Sequence, residues 1–338
     1  MDLTTTYLGL SLPVPVVASA SPLAQSASGV RRLADAGVGA IVLPSLFEEQ
    51  VRHQEMTDLA VAESHEHNFG EALDFFPQSA TLAAQASSPY LKQVERATAV
   101  SSVPVIASLN GTSGGGWVDA ARSLASAGAA AIELNVYLVP GDLTMSGREV
   151  EERHLEILRA VKDVVEVPVA VKLSPFFSAT GSLAMSLDRA GADGLVLFNR
   201  FLQPDVDIHR LTVEPSVTLS HPEEGRLPRT WIAILRGHVR ASLAGTTGVE
   251  TADDIVKYLL AGADVVMTAS ALLRHGPEHA SVLIEGLRAW MSEMGFDTLD
   301  KVRGRLAVDS SIDASAYERA GYVAALQRAR QTYGDLRE

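Results

Sequence analysis

The sequence predicts an α/β protein of the (β/α)8 TIM barrel type, with extended βα loops and a C-terminal helical tail, and three observations lead there. First, eight short runs rich in β-branched residues recur with helix-like segments between them: Pro15–Ala18, Ala40–Leu43, Val103–Leu109, Ala131–Asn135, Val167–Leu173, Gly194–Phe198, Ala241–Ala244 and Val265–Thr268. None alternates apolar and polar residues cleanly, as expected of strands covered on both faces in a parallel sheet. Second, helix ends repeat one phrase: AGVGA at 36–40, AGAAA at 127–131, AGADG at 190–194 and AGADV at 261–265. In each, a glycine sits where a left-handed helix cap is needed and small residues lead into the next strand. Third, no low-complexity linker divides the 338 residues, so eight repeats read as one closed barrel. An open doubly wound sheet is the alternative topology.

The segments between the strands are amphipathic and alanine-rich, as in Val118–Ser126, Glu152–Val164 and Ala252–Leu260. Two stretches break the repeat. Leu46–Ser88 carries His53, His65, His67, Phe69, Phe75 and Phe76 without a strand–helix unit, and reads as a long βα loop over the barrel mouth. Asn199–Pro228 holds four prolines around SVTLSH and reads as a β-rich excursion after the sixth strand. A helix is expected around Ala314–Tyr333. The expected division is a barrel over 1–296 and a helical extension over 297–338, packed on the barrel or on a partner subunit.

Composition narrows the function classes. No run approaches the roughly 18 to 20 apolar residues of a spanning helix, and MDLTTTYLGL has neither a basic n-region nor a long apolar core, so a cytoplasmic protein is expected. The chain has no cysteine, which removes disulfides, cysteine-ligated metals, an iron–sulfur cluster of its own and any thiol base. With 41 acidic against 28 basic residues, and no basic stripe, nucleic acid is not an expected partner. His53, His65 and His67 lack the spacing of a helical metal site, and no metal is expected.

In such a barrel the active site lies at the C-terminal strand ends. The polar residues there are Ser19 and Ser21, Ser45, Ser108 and Asn110, Asn135, Lys172 and Ser174, Asn199 and Arg200, Thr246 and Thr247, and Thr268 and Ser270. Lys172 ends the apolar run VPVAVKL, where a buried ammonium needs an anion or other acceptors. It snorkels out of the strand end, pairs with Glu133 of the neighbouring strand, or sits under a ligand that gains negative charge. GTTGVET at 245–251 and TAS at 268–270 follow strands seven and eight, where these barrels commonly hold a phosphate; a tight turn with Thr251 as helix cap is the plainer reading.

These motifs resemble the dihydroorotate dehydrogenase family, most closely its soluble class 1 type, from about Leu3 to Gly295. The matching pieces are VVASASP, SLNG at 108–111, IELN at 132–135, VAVKLSPFF at 169–177, LFNR at 197–200, AGTTGVET at 244–251 and LLAGADVVMTASALLRHGP at 259–277. The resemblance implies an FMN oxidoreductase that oxidises dihydroorotate or a related cyclic substrate. It implies that Ala18, Ser19 and Ser45 line the flavin, that Asn135 touches flavin and substrate, and that Lys172 sits near flavin N1 and the C2 carbonyl. Thr247, Gly248, Ala269 and Ser270 would hold the FMN phosphate, and Asn199 would bond the pyrimidine. Lys172, Asn135 and Asn199 are therefore the candidate catalytic residues. A separate electron-acceptor protein and a homodimer are implied as partners.

The chain departs from the family at four places. Leu138 occupies the position of the cysteine or serine base, Pro44 replaces a lysine before Ser45, Asn68 alone represents an asparagine-rich turn, and HPEEGRLP replaces a glycine pair. Tyr137, Ser113, Ser146, a loop histidine, Asp142 or Glu133 remain as candidate bases. An FMN enzyme for another substrate, or a non-catalytic flavin-binding subunit, are the alternative functions.

Overall fold

The computed structural model describes residues 1–47, 89–111, 117–138, 141–200, 204–214 and 217–334. A hairpin of β1 (Thr5–Tyr7) and β2 (Leu10–Leu12) leads into β3 (Val16–Ala18), α1 (Ala27–Asp35), β4 (Ala40–Val42) and β5 (Leu46–Phe47). Next come α2 (Pro89–Val100), β6 (Val105–Gly111), α3 (Trp117–Ser126), β7 (Ala131–Val136), α4 (Gly147–Lys162), β8 (Val169–Leu173), α5 (Thr180–Arg189) and β9 (Gly194–Leu197). A second hairpin, β10 (Asp205–Asp207) and β11 (Thr212–Glu214), precedes α6 (Arg226–Leu235), β12 (Ser242–Thr246), α7 (Ala252–Ala261) and β13 (Val265–Thr268). The helices α8 (Ser270–His275), α9 (His279–Glu293) and α10 (Ala314–Tyr333) follow.

β3, β4, β6, β7, β8, β9, β12 and β13 pair in parallel in that order, and β13 returns to β3, which closes the barrel. All eight expected strands are present. β10 and β11 make the excursion after the sixth strand β-rich, and α10 spans the expected helix. One stretch read as loop begins as structure: Leu46 and Phe47 pair with Leu109 and Asn110, and two residues are too few to show a periodicity. The rest of that loop lies outside the described residues, with His53, His65, His67, Asn68, Phe69, Phe75 and Phe76, and so do Ser113 and Gly114–Gly116.

Apolar burial forms two layers. Helices cover the outside of the strands, while Val17, Val42, Ile106, Val196, Val265 and Met267 pack inside the barrel together with Tyr7, Leu8 and Leu12 of the first hairpin. The β1–β2 turn, Leu8–Gly9, has φ of 54° and 74°, the paired positive values that favour Asn-Gly; leucine there hides the hairpin from sequence reading. At the other end of the chain, Leu299, Val302 and Val308 are buried, and the Gly304, Leu306 and Val308 amides donate to the Leu259, Leu260 and Ala233 carbonyls. The described α10 side chains from 319 to 332 are exposed apart from Ala329.

The repeated phrase has a physical basis. Gly37, Gly128, Gly191 and Gly262 all have φ between 87° and 122°, where a side chain is strained. The aspartate of AGAD ties adjacent strand starts together. Asp193 accepts from the Val169 amide and Lys162 Nζ at 2.7 Å each, and Asp264 accepts from the Leu243 amide and Arg236 Nη1 at 2.8 Å each. Replacing Asp264 by alanine leaves the buried Leu243 amide without its acceptor, so Asp264→Ala is expected to lower unfolding stability by about 2–3 kcal/mol. Urea denaturation measures this, and a midpoint equal to that of the unaltered protein would contradict the role.

Candidate active site

The ladder register brings the predicted polar residues to one rim. Asn135 of β7 stands opposite Lys172 of β8, and the amide of Asn199, just past β9, donates to Leu173 O at 2.7 Å. Ser19, Lys172, Asn199, Arg200, Thr247 and Ala269 line one cavity of about 140 Å³. Asn135 joins them through Asn199, whose Nδ2 donates to Asn135 Oδ1 at 2.8 Å, so each asparagine fixes the other's amide. Ser45 shares a hydrogen bond of 2.8 Å with Ser108. Tyr90 from α2 holds the Ser108 backbone, donating to its carbonyl and accepting from its amide, and burial pushes the Tyr90 phenol well above its ordinary range. Ala18 ends β3, paired with Thr268 and fully buried.

Lys172 pairs with Glu133, the plainer of the sequence readings, and also lines the cavity. The side chain is 9% exposed, faces the cavity and lies 3.5 Å from Glu133 Oε1, whose side chain is 1% exposed. An ammonium has three donors, so a single long bond to Glu133 leaves capacity for a ligand acceptor.

The loops after β12 and β13 form an anion cradle. Gly245 lets the Tyr258 ring lie against β12, since a Cβ there would meet the ring at 2.3 Å. Tyr258 then donates to the Thr246 and Thr247 carbonyls at 2.7 Å each, turning them toward α7. Thr247 and Gly248 follow with φ of 79° and 68°, two successive positive values that set the course of the loop. A Cβ on Gly248 would lie 2.6 Å from the Gly225 amide nitrogen, so the loop is held close by that neighbouring turn. Across the cavity, the first amides of α8 have no capping side chain. The uncapped α8 amides and the Lys172 ammonium are donors of the kind that suit an anionic group. The plainer reading of Thr251 holds as well, because its amide and hydroxyl both donate to Asp254 at 3.1 Å.

Two residues gain a place that sequence reasoning did not assign. Ser220, from the excursion, donates through its amide and hydroxyl to Ser270 Oγ at 3.0 Å each, and its Oγ accepts from the Gly248 amide at 3.2 Å. It bridges the two halves of the cradle, and no local signal separates it from Thr218. Arg200 makes a fork to the Glu224 carboxylate and donates to the Thr218 carbonyl, clamping the returning segment over the end of β9.

Among the candidate bases, Ser146 and Asp142 are occupied elsewhere. Ser146 caps α4 in a reciprocal box with Glu149, and Asp142 accepts from the Thr144 amide and hydroxyl. Leu138 lies half-buried two residues past β7 and carries no proton-transfer group.

The closed parallel barrel thus brings a lysine and two asparagines to one rim, beside the loops that follow β12 and β13. Residues 79–291 match the family model for dihydroorotate dehydrogenase, which covers more than half of the chain. The catalytic subunit of dihydroorotate dehydrogenase B (NAD(+)) from Methanothermobacter thermautotrophicus is 28% identical over 311 residues, 89% of this chain and 97% of its own. The subunit of the same name from Bacillus mycoides is 29% identical over 226 residues, 64% of this chain and 69% of its own. The chain belongs to the dihydroorotate dehydrogenase family. Membership makes it an oxidoreductase acting on CH–CH groups and implies a flavin; both of these relatives are named as catalytic subunits. No described helix is long and apolar enough to cross a membrane.

Buried His154 ties α4 to the loop after β8. Its Nδ1–H donates to Val150 O at 2.7 Å, and its ring meets Phe177 edge-on with centroids 5.2 Å apart. Burial lowers its pKa below the ordinary 6.5, against the opposing pull of the Val150 carbonyl. The unfolded chain therefore binds a proton more readily, so this contribution to stability is full above pH 6.5 and is lost as pH falls from there through the folded value. His154→Gln should flatten the dependence of the urea midpoint on pH in that window; an unchanged slope would refute the assignment.

Proposed function

We propose that the protein is an FMN-dependent dehydrogenase that oxidises dihydroorotate or a closely related cyclic substrate, with hydride passing to flavin N5. The observation that carries this reading is Lys172, buried at the rim beside Asn135 and facing the same cavity as Thr247 and Ala269. FMN supplies the hydride acceptor. Thr247, Gly248, Ala269 and Ser270 would hold its phosphate, and Ala18, Ser19 and Ser45 would line its ring. Lys172 holds a fixed positive charge where the ring gains electron density, which lowers the barrier by preorganised electrostatics. Asn199 and Asn135 orient the ring of the substrate, each amide locked by the other.

The proton that leaves the substrate needs an acceptor other than Leu138. With no cysteine in the chain, electrons that continue to an iron–sulfur centre travel through another polypeptide. By resemblance to the family, the reading extends to a cytoplasmic homodimer that hands electrons to a separate acceptor protein.

Purified protein should be yellow and should bleach when mixed anaerobically with dihydroorotate. Colourless protein that FMN cannot reconstitute would overturn the cofactor, and bleaching by another reductant alone would assign another substrate. Lys172→Ala should weaken FMN binding or slow flavin reduction, and unchanged values for both would remove its role. Restoring a thiol with Leu138→Cys should accelerate bleaching by dihydroorotate by about 100-fold, the low end of general-base catalysis. Stopped-flow absorbance measures it, and an unchanged rate would place the proton acceptor elsewhere.

A further inference from the structure

We propose that Glu133 is a positioning residue for Lys172, acting as the fixed counter-charge that holds the ammonium and limits how strongly it favours the reduced flavin. The proposal rests on the FMN reading above. Glu133 lies on β7 two residues before Asn135, so both side chains point to the same face of the ladder, and it stands opposite Ala170, one layer beneath the Asn135–Lys172 pair. Across the ladder it stands between Ala170 of β8 and Ser108 of β6, whose hydroxyl is bonded to Ser45, and Ala131 lies one layer further down the same face. A carboxylate there is costly unless paired, yet Oε1 reaches only Lys172, at 3.5 Å, and Oε2 has no hydrogen-bond partner. A pair this loose is poor stabilisation for a fold, since apolar residues of similar volume would serve the core better.

Tyr7, from the hairpin that plugs the barrel, does not neutralise the acid. Its hydroxyl is also buried without a partner, and burial, with the negative charges of Glu133 and Asp264, holds its proton far above the ordinary phenol range. The charge that faces Glu133 is therefore that of Lys172, and Lys172 in turn faces the cavity. Seen from the cavity, the site is a dipole with its positive end up. Such a dipole attracts electron density on the ring less than a lone ammonium would, so Glu133 keeps the bound flavin a weaker oxidant and leaves it able to pass electrons onward.

The test measures the midpoint potential of the bound flavin in the full-length protein. Glu133→Gln keeps shape and removes charge, and should shift the oxidised-to-reduced equilibrium at least tenfold toward reduced flavin, about 30 mV for a two-electron couple. Glu133→Asp keeps the charge and should lie closer to the unaltered protein than to Glu133→Gln. A potential unmoved in Glu133→Gln, or moved equally by both substitutions, would overturn the proposal. A flavin-free arm isolates the pairing itself. Lys172→Met strands the buried carboxylate, so the double variant Lys172→Met/Glu133→Gln should unfold at a higher urea concentration than Lys172→Met alone, and equal or lower midpoints would refute the counter-charge. Protein that cannot bind FMN would instead overturn the FMN reading, while the urea comparison still decides the pairing.

Discussion

The parallel ladder that runs through eight strands and meets itself between β13 and β3 is the constraint on which the rest of the molecule depends. Several of these strands are only three or four residues long, too short to stand as a sheet with free edges. Closure removes the edges, and it forces half of each strand's side chains into a narrow interior. Tyr7, Leu8 and Leu12 enter that interior from the hairpin, which is why the chain spends its first strands on a plug and not on the barrel wall. The aspartates at the αβ joints help fix the register by accepting a backbone amide at the start of the neighbouring strand, Val169 for Asp193 and Leu243 for Asp264.

Closure also decides where chemistry can occur. Strand ends that are distant in sequence arrive at one rim, and the register sets Asn135 beside Lys172 while Asn199 reaches across to Asn135. The cradle depends on packing further out. Tyr258 of α7 orients the carbonyls of β12, Gly245 makes room for it, and Thr247 and Gly248 turn their backbone into the left-handed region. Thr247 bears its strain for no packing reason visible at its own side chain, which donates to the Phe198 carbonyl. Strain of this kind, held in place by surrounding contacts, is characteristic of ligand sites.

The flavin-holding half of the site and the proton-transfer half differ in kind. On the proposed reading, the first is built from backbone amides, a buried ammonium and locked amides. The second has leucine where the family carries a base, and Ser146 and Asp142 are committed to a helix cap and a turn. The division follows from how each half is made. A cradle of main-chain donors survives changes of side chain, whereas a base is a single functional group.

Much of this was legible in the sequence because it is written in local patterns. Uniformly apolar runs mark strands buried on both faces, and Gly37, Gly128, Gly191 and Gly262 mark helix ends because only glycine takes those dihedrals without strain. The motifs GTTG, VKLSPFF and LFNR located the rim. The hairpin at Leu8–Gly9 escaped notice because its turn uses leucine, and the contacts of Ser220 and Arg200 escaped because their partners, Ser270 and Glu224, are set by folding and not by spacing. By itself the sequence determined the repeat, the barrel and the residues at its rim, since each follows from periodicity and backbone chemistry within a few neighbours. Only the tertiary structure decided that Lys172 stands between Glu133 and the cavity and that Ser220 joins the two halves of the cradle, because those contacts exist only once the ladder has closed.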